Sequence, residues 1–279
     1  MNKKIIFLDV DGTLTSPQGD VSECVKDGIK QVRENGHYVF LCTGRNKSGI
    51  RSLLDIGFDG IICSAGGYIE MDDKLLYESF LSKEDLKEAR DVFERNHIHY
   101  NLEATHKTFQ NDGMNELFVH GAKSKDMNSE MQRLMQQQKE KFNICPLEDY
   151  DNNPVEIHKL CFIALDEKDL VEPKQVLSDK FIFIVHELFS KDTINGEIII
   201  KGTNKGNAVR FIVNHLNMSM DDTIGFGDSM NDLEMIQACH YGVVMGNGSK
   251  ELKKYASTIC ESVEDDGVYH ELKRLKLCH

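Results

Sequence analysis

The sequence lacks a long hydrophobic run. Its first apolar stretch follows two lysines and is interrupted by Asp9 and Asp11, so it is too short for a signal peptide or a membrane-spanning helix. We therefore expect no secretory leader and no membrane partner.

An excess of positive charge is also absent. The formal net charge is −13 at pH 7, from 33 lysines and arginines against 46 aspartates and glutamates. Such a chain repels phosphate backbones and acidic lipid surfaces, which argues against nucleic-acid binding. A small phosphorylated substrate is still compatible with this charge, because a metal ion and one or two local cations can neutralise it.

Paired cysteine motifs are missing as well. The eight cysteines include no Cys-x-x-Cys pair, so the spacing typical of zinc sites is absent, and a chain of this size needs no disulfide framework. Several cysteines lie inside apolar runs, where a reduced thiol behaves as a small hydrophobic group. We expect a reducing, cytoplasmic location.

The chain has the length and composition of a folded protein with a large core. It has 279 residues, of which 40% are hydrophobic and 28% charged, and it shows neither an internal repeat nor a low-complexity tract. This length fits one large domain or two. The oligomeric state is not evident from the sequence.

The segment that follows the first lysines combines a strand pattern with two acidic residues. Ile5 to Leu8 has the composition of a buried strand of a parallel sheet. Asp9 and Asp11 lie one residue apart and so share a face at the end of that strand. Two like charges this close need compensation, which a divalent cation provides. An Asp-Gly turn that only ends the strand is the alternative.

Apolar strands and amphipathic helices alternate at both ends of the chain, which predicts right-handed crossovers and a doubly wound parallel sheet of the α/β class. The elements predicted in the first part are a helix over Ser22 to Asn35, a strand over Tyr38 to Cys42, a helix with Ile50, Leu53 and Leu54 on one face, and a strand over Ile61 to Cys63. We assign residues 1–82 and 190–279 to this core domain.

The region between these two parts is more polar and less regular. A helix capped by Ser82 is followed by short strands that include one at 117–120, a polar helix over 125–141 and a turn-rich loop at 149–154. We therefore expect residues 83–189 to form an inserted α+β cap domain.

Polar residues follow three of the core strands. They are Asp9 with Asp11, Thr43 with Gly44, and Asp228 with Asn231 and Asp232; Lys205 begins a helix between the second and third groups. Open parallel sheets bind ligands at the carboxyl ends of their strands. Carboxylates suit Mg²⁺, and a hydroxyl, backbone N–H groups and a lysine suit phosphate oxygens. The sequence has no Gly-x-x-x-x-Gly-Lys-Ser/Thr loop, which disfavours a P-loop nucleotide site.

Each of these groups also has an ordinary structural explanation. Thr43, Gly44 and Arg45 alone would be a loop with an exposed arginine, and Lys201 competes with Lys205 for the role of the site lysine. Acidic residues four apart at a helix start can simply complement the helix dipole. Their joint occurrence, in order, at successive strand ends favours the functional interpretation.

In this order, Asp-Val-Asp-Gly-Thr, Thr-Gly-Arg, a mid-chain lysine and Gly-Asp-Ser-Met-Asn-Asp resemble the four motifs of the haloacid dehalogenase (HAD) superfamily. The large insertion after the second motif, and Asp-Asp-Gly-Val at 265–268, resemble the Cof-type phosphatases within it. The resemblance implies a Mg²⁺-dependent phosphatase acting on a small phosphorylated metabolite, such as a sugar phosphate, with a cap that supplies specificity.

The resemblance also implies a role for each motif residue. Asp9 would be the nucleophile that forms an aspartyl-phosphate, and Asp11 the acid and base. The Asp9 carboxylate, the Asp11 backbone carbonyl and Asp228 would bind Mg²⁺, with Asp232 supporting them from outside. The phosphoryl contacts would come from Thr43, Gly44, Lys205 and Asn231.

Two alternatives and one departure accompany this prediction. A phosphomutase of the same superfamily would need arginines in the cap for a second phosphate, and 83–189 contains only three arginines, at 90, 95 and 133. A non-catalytic phosphometabolite sensor would have no use for a nucleophile.

Many relatives carry Asn-Gly-Ala where this chain has Ala65, Gly66 and Gly67, so no amide contact to the organic part of the substrate is implied there.

Overall fold

The computed structural model describes residues 2–16, 20–111, 113, 143–185 and 194–279. The predicted strand at 117–120 and the predicted polar helix over 125–141 lie outside these residues. Among the described helices, none is both long enough and apolar enough to cross a membrane.

The described chain contains fourteen strands and seven α-helices. The strands are β1 Ile5–Leu8, β2 Tyr38–Cys42, β3 Gly60–Cys63, β4 Tyr68–Met71, β5 Lys74–Glu78, β6 His99–Glu103, β7 Thr108–Gln110, β8 Ile144–Pro146, β9 Lys159–Ala164, β10 Phe181–Val185, β11 Ile194–Ile200, β12 Thr223–Gly227, β13 Tyr241–Val244 and β14 Thr258–Ile259. The α-helices are α1 Glu23–Glu34, α2 Lys83–Arg95, α3 Leu147–Asn152, α4 Val171–Leu177, α5 Lys205–His215, α6 Leu233–Ala238 and α7 Gly267–Arg274.

The chain divides into two compact units. The first comprises Met1–Arg45, Ile50–Glu78 and Thr203–His279, and the second comprises Asn46–Gly49 and Ser79–Gly202. Within the second unit, the Asn46 side chain donates to the Ala104 carbonyl at 3.0 Å, which ties its short first segment to the rest.

The first unit is built on an eight-stranded sheet in the order β14-β13-β12-β1-β2-β3-β4-β5. All pairs from β14 to β3 are parallel, and β4 and β5 add an antiparallel hairpin at one edge. β1 lies centrally, and all four of its residues are buried. Burial on both faces explains why this strand is a continuous apolar run.

The helices of the first unit begin where the sequence provides caps. The Ser22 hydroxyl accepts from the Val25 N–H at 3.2 Å at the start of α1. The Asn204 side chain accepts from the Asn207 N–H at 2.7 Å at the start of α5. Each cap satisfies an N–H group that has no partner within its helix, and so fixes the first residue of that helix. For α5, that residue is Lys205.

The second unit is built on a six-stranded sheet in the order β10-β11-β9-β6-β7-β8, antiparallel except for the β7–β8 pair. One set of alternating residues, including Tyr100, Leu102 and Phe162, belongs to an apolar core with residues of α2 and α4. The other set is polar and buried, and includes Asn101, Glu103, Lys159, Asn195 and Glu197.

The mixed α/β class with a predominantly parallel core sheet is confirmed, but several local predictions differ from the structure. The segment Lys47–Ile56 is a 3₁₀ helix, and Leu54 is exposed while Ile50 and Leu53 are buried. α3 replaces the loop predicted at 149–154. The strand β11 pairs with β9 and β10 in the second unit, so the boundary predicted at residue 190 precedes a strand that does not belong to the first unit.

Candidate active site

The site begins at the carboxyl end of β1. The Asp9 N–H donates to the Phe226 carbonyl of the adjacent β12 at 3.0 Å, so the parallel pairing extends to Asp9. The chain then turns back, with the Thr15 N–H donating to the Val10 carbonyl at 2.8 Å. Gly12 has a φ of 79°, a conformation that glycine adopts without the steric penalty of a Cβ. Asp9 itself is 3% exposed.

Lys205 joins two of the predicted carboxylates. Its Nζ lies 2.7 Å from Asp9 Oδ1 and 2.5 Å from Asp232 Oδ1, and all three side chains are buried. Burial lowers the pKa of Lys205, but the carboxylates of Asp232 and Asp9 outweigh this effect and raise the pKa well above its usual value. Lys205 is therefore a permanent cation within the site.

Asp232 is held by the loop that follows β12. Its Oδ2 accepts from the N–H groups of Asp228 and Ser229 at 2.9 and 3.1 Å, while its Oδ1 accepts from Lys205. A Cβ on Gly227 would lie 2.5 Å from the Asp232 Cβ, so only glycine fits beside this carboxylate. Both oxygens of Asp232 are thus used to orient the loop and the lysine.

Asp228 provides an oxygen that has no hydrogen-bond partner among the described residues. Asp228 is 6% exposed, and the unpaired oxygen is its buried Oδ1. Single carboxylate oxygens of Asp9, Asp228 and Asp232 all lie within 4.8 Å of one another. A buried carboxylate without a donor is costly unless a cation binds it. The donor set consists of hard oxygens, which fits Mg²⁺.

The crowding of carboxylates perturbs two of them strongly. Burial, together with the neighbouring Asp232, raises the pKa of Asp9 to about 8, although Lys205 opposes the shift. Burial and the charges of Asp232 and Asp9 raise the pKa of Asp228 well above its usual value. These shifts arise because three negative groups share one desolvated space with a single lysine, and a divalent cation is the group that would relieve them.

Asp11 is held by Arg45. Arg45 Nε donates to Asp11 Oδ2 at 3.0 Å, and Arg45 Nη2 donates to Oδ1 at 2.6 Å. The two side chains are 13% and 14% exposed. The interpretation of Arg45 as an exposed loop arginine was therefore wrong: it forms a two-point, partly buried ion pair.

Thr43 and Gly44 follow β2, and both are buried. The Thr43 hydroxyl oxygen accepts from the Arg45 N–H at 3.1 Å, so its own proton remains available for a phosphate oxygen. The Thr43 carbonyl accepts from the Ala65 N–H at 3.0 Å. Ser64 and Ala65 have φ values of 50° and 55°, so this segment packs against a left-handed turn.

The remaining predicted residues are placed as follows. Asn231 lies in the turn after Asp228, where its Oδ1 accepts from the Ser229 hydroxyl at 2.7 Å. Lys201 is exposed, in contrast to the buried Lys205. The structure thus brings Asp9, Lys205, Asp228 and Asp232 together, while Asn231 stabilises its own loop.

The sequence interpretation missed Asn247. Its amide donates to the Gly12 carbonyl at 2.8 Å, and its Oδ1 accepts from the Val263 N–H at 2.9 Å. Asn247 therefore ties the loop after β1 to the C-terminal segment. Asn247 could have been identified from its position between two glycines just after β13, at the same sheet edge as the other polar groups.

The family to which this arrangement belongs is established by comparison. The sequence profile of the haloacid dehalogenase-like hydrolases matches residues 6–272. The chain belongs to this family of hydrolases, and the predicted membership of the HAD superfamily is confirmed.

Named relatives agree over nearly the whole length. The chain is 26% identical over 283 residues to "Putative phosphatase YkrA" of Bacillus subtilis (strain 168), covering 99% of both chains. It is 26% identical over 288 residues to the 5-amino-6-(5-phospho-D-ribitylamino)uracil phosphatase YwtE of the same organism, covering 98% of both. A solved haloacid dehalogenase-like hydrolase from B. subtilis has the same fold, with a TM-score of 0.82, 20% identity, and coverage of 98% of this chain and 99% of that one.

Proposed function

We propose that this protein is a Mg²⁺-dependent phosphomonoesterase that acts through an aspartyl-phosphate on Asp9. The observation that supports this most is the buried group formed by Asp9, Lys205, Asp228 and Asp232, in which Asp228 Oδ1 has no donor within the part of the chain that the structure describes. A divalent cation at this group, together with Lys205, would offset the negative charge of a phosphoryl group that approaches Asp9.

Asp9 and Asp228 are the side chains that would hold Mg²⁺, with the Asp11 carbonyl as the third protein ligand that the family resemblance implies. Asp232 would support these ligands from outside, because its Oδ1 accepts from Lys205 and its Oδ2 accepts from two backbone N–H groups. When bound, Mg²⁺ would supply positive charge that offsets the repulsion between the attacking carboxylate and the phosphoryl group.

The chain's own residues then account for both halves of the reaction. An Asp9 oxygen attacks phosphorus while the ester P–O bond breaks, and Asp11 gives its proton to the departing oxygen. Water next attacks phosphorus, Asp11 takes the water proton, and the bond from phosphorus to Asp9 breaks to release phosphate. Lys205 and the Thr43 hydroxyl donate to the phosphoryl oxygens as charge develops.

We infer that the substrate is a small phosphorylated metabolite with a polyhydroxylated organic part, as in a sugar phosphate. The relative YwtE is named for a substrate that carries a phosphorylated ribityl chain. The formal charge of −13 does not favour a nucleic acid. All eight cysteines lie in the described part of the chain and no disulfide joins any two of them, which supports the expected cytoplasmic location.

The phosphomutase alternative receives no support from the two cap arginines that the structure describes. Arg90 pairs with Asp151 at 2.8 Å, and Arg95 pairs with Glu172 at 2.6 Å. Both guanidinium groups are thus engaged within the second unit. A mutase would need such groups for a distal phosphate.

A phosphate-release assay tests the proposal. Purified protein with MgCl₂ is offered sugar phosphates, polyol phosphates, nucleotides and cofactor phosphates. We expect release from at least one polyol or sugar ester, loss of release with EDTA, and a loss of at least about 10³-fold in Asp9→Asn. The exposed Asp20→Asn is the matched control and should keep full activity. Full turnover in Asp9→Asn would refute the mechanism.

A further inference from the structure

Arg45 contacts Asp11 through two separate donors. The Nε–Oδ2 and Nη2–Oδ1 distances are 3.0 and 2.6 Å. A two-point contact between a guanidinium and a carboxylate fixes the plane of the carboxylate as well as its distance. Lysine cannot do this, because its ammonium group is a single point charge.

The backbone of Arg45 is itself held in place. Its N–H donates to the Thr43 hydroxyl oxygen at 3.1 Å, and its carbonyl accepts from the Ser64 N–H at 2.8 Å. Ser64 and Ala65 are left-handed, with φ values of 50° and 55°. Left-handed conformations in residues other than glycine persist only where surrounding contacts enforce them, and they concentrate at functional sites.

We propose that Arg45 is a positioning residue that holds the Asp11 carboxyl in the orientation needed to exchange a proton with the substrate oxygen. This inference rests on the proposed function, in which Asp11 is the acid and base. Because the proposed role of Arg45 is exerted through Asp11, its loss should lower the rate of the proton-dependent step more than the affinity for substrate.

The test uses two esters that differ in their need for a proton. 4-Nitrophenolate is a stable anion and leaves without being protonated. The sugar alkoxide that leaves an ester such as glucose 6-phosphate must be protonated as it departs. Single-turnover phosphorylation of Asp9 is measured with 4-nitrophenyl phosphate and with the sugar or polyol phosphate that the wild type cleaves fastest. Positioned acids contribute about 10²- to 10⁴-fold.

In Arg45→Ala, we expect the rate of Asp9 phosphorylation by the alkyl ester to fall at least about thirtyfold. The rate with 4-nitrophenyl phosphate should fall less than about threefold, and KM should be nearly unchanged. Arg45→Lys should recover only part of the loss. The control is Arg51→Ala, an exposed arginine six residues along the chain, which should leave both rates unchanged. Crystal structures of wild type and Arg45→Ala provide a readout independent of activity, because the Asp11 carboxyl should change its rotamer.

Several results would overturn the proposal. Equal losses with both esters, or a rise in KM alone, would show that Arg45 binds the phosphoryl group. Faster phosphorylation in Arg45→Ala than in the wild type would show that the ion pair hinders Asp11 and does not position it for proton transfer. A wild type that cleaves neither ester would refute the proposed function instead. The crystal structures would then decide the positioning role: a displaced Asp11 carboxyl supports it, and an unmoved one overturns it.

Discussion

Lys205 Nζ lies 2.5 Å from Asp232 Oδ1, and neither side chain is more than 1% exposed. Asp232 in turn accepts the N–H of Asp228, so the position of the lysine and that of the proposed metal ligand depend on the same carboxylate. This dependence explains how the loop after β12 and the start of α5 bring Lys205, Asp228 and Asp232 close together.

Replacement of Lys205 by Met should both inactivate and destabilise the protein. The substitution keeps the length of the side chain but leaves Asp9 and Asp232 buried without their cation. Breaking a buried pair from one side costs about 3–5 kcal/mol. Urea denaturation measures the loss, and Lys201→Met, at the exposed neighbouring lysine, should change the free energy of unfolding by less than about 0.5 kcal/mol. Comparable losses in both variants would contradict the burial argument.

The thermal stabilisation by Mg²⁺ should increase with pH. Burial and Asp232 raise the pKa of Asp9 to about 8, so the folded, metal-free protein holds a proton that the unfolded chain releases near pH 4. Without metal, stability therefore falls as the pH rises from about 4 to 8. Mg²⁺ competes with that proton, so its shift of Tm should grow between pH 6 and 8.

Calorimetric scans with and without 5 mM MgCl₂ at pH 6, 7 and 8 measure this shift. Asp228→Asn removes one proposed ligand and should abolish most of the shift at each pH. A shift independent of pH would show that the cation does not bind at Asp9.

Ala65→Gly should stabilise the protein slightly. Ala65 is buried with a φ of 55°, a conformation that costs an L-residue about 1–2 kcal/mol and glycine almost nothing. Since glycine also gains entropy in the unfolded chain, we expect a net increase of about 0.5–1 kcal/mol in the free energy of unfolding. Ala208→Gly, within α5, should lower it by about 1 kcal/mol. A loss in both variants would show that the turn is not strained.

Asn195→Leu should also raise stability. Asn195 lies in β11 of the second unit and is 1% exposed, and neither polar atom of its amide has a hydrogen-bond partner among the residues that the structure describes. An unsatisfied buried polar group costs about 1–3 kcal/mol, and a side chain of similar shape without polar atoms avoids this cost. We expect a gain of about 1 kcal/mol in denaturant titrations. Asn101→Leu should gain less, because Oδ1 is the one atom of its amide found both fully buried and without a partner among the described residues.

The sequence predicts best what depends on neighbouring residues. The strand Tyr38–Cys42, the helix predicted over Ser22 to Asn35 and the helix cap at Ser82 follow from local composition, and the structure has all three, with the first helix at Glu23–Glu34. Lys205 was preferred to Lys201 because Lys-Gly at a helix start matches the spacing of the family that the sequence resembles; in the structure Lys205 contacts Asp9 and Asp232, and Lys201 is exposed.

What the sequence did not reveal depends on contacts between distant residues. Arg45 pairs with a carboxylate 34 positions away, and nothing in its own segment indicates that partner. The strand Ile194–Ile200 has the same apolar texture as a core strand, and only its pairing with β9 and β10 assigns it to the second unit. The hairpin of β4 and β5 was likewise missed, since its edge strand is largely exposed and lacks a buried-strand pattern.

The central position of β1 has a consequence for synthesis. Its neighbour on one side, β12, begins at residue 223, and Asp9 meets Lys205 across 196 positions of sequence. In a nascent chain that ends before these residues, one edge of β1 is unpaired, and Asp9 lacks Lys205. Unpaired strand edges invite aggregation. The sheet of the first unit therefore cannot form completely before β12 has been synthesised, and a fragment that ends earlier would be prone to association and would lack the site.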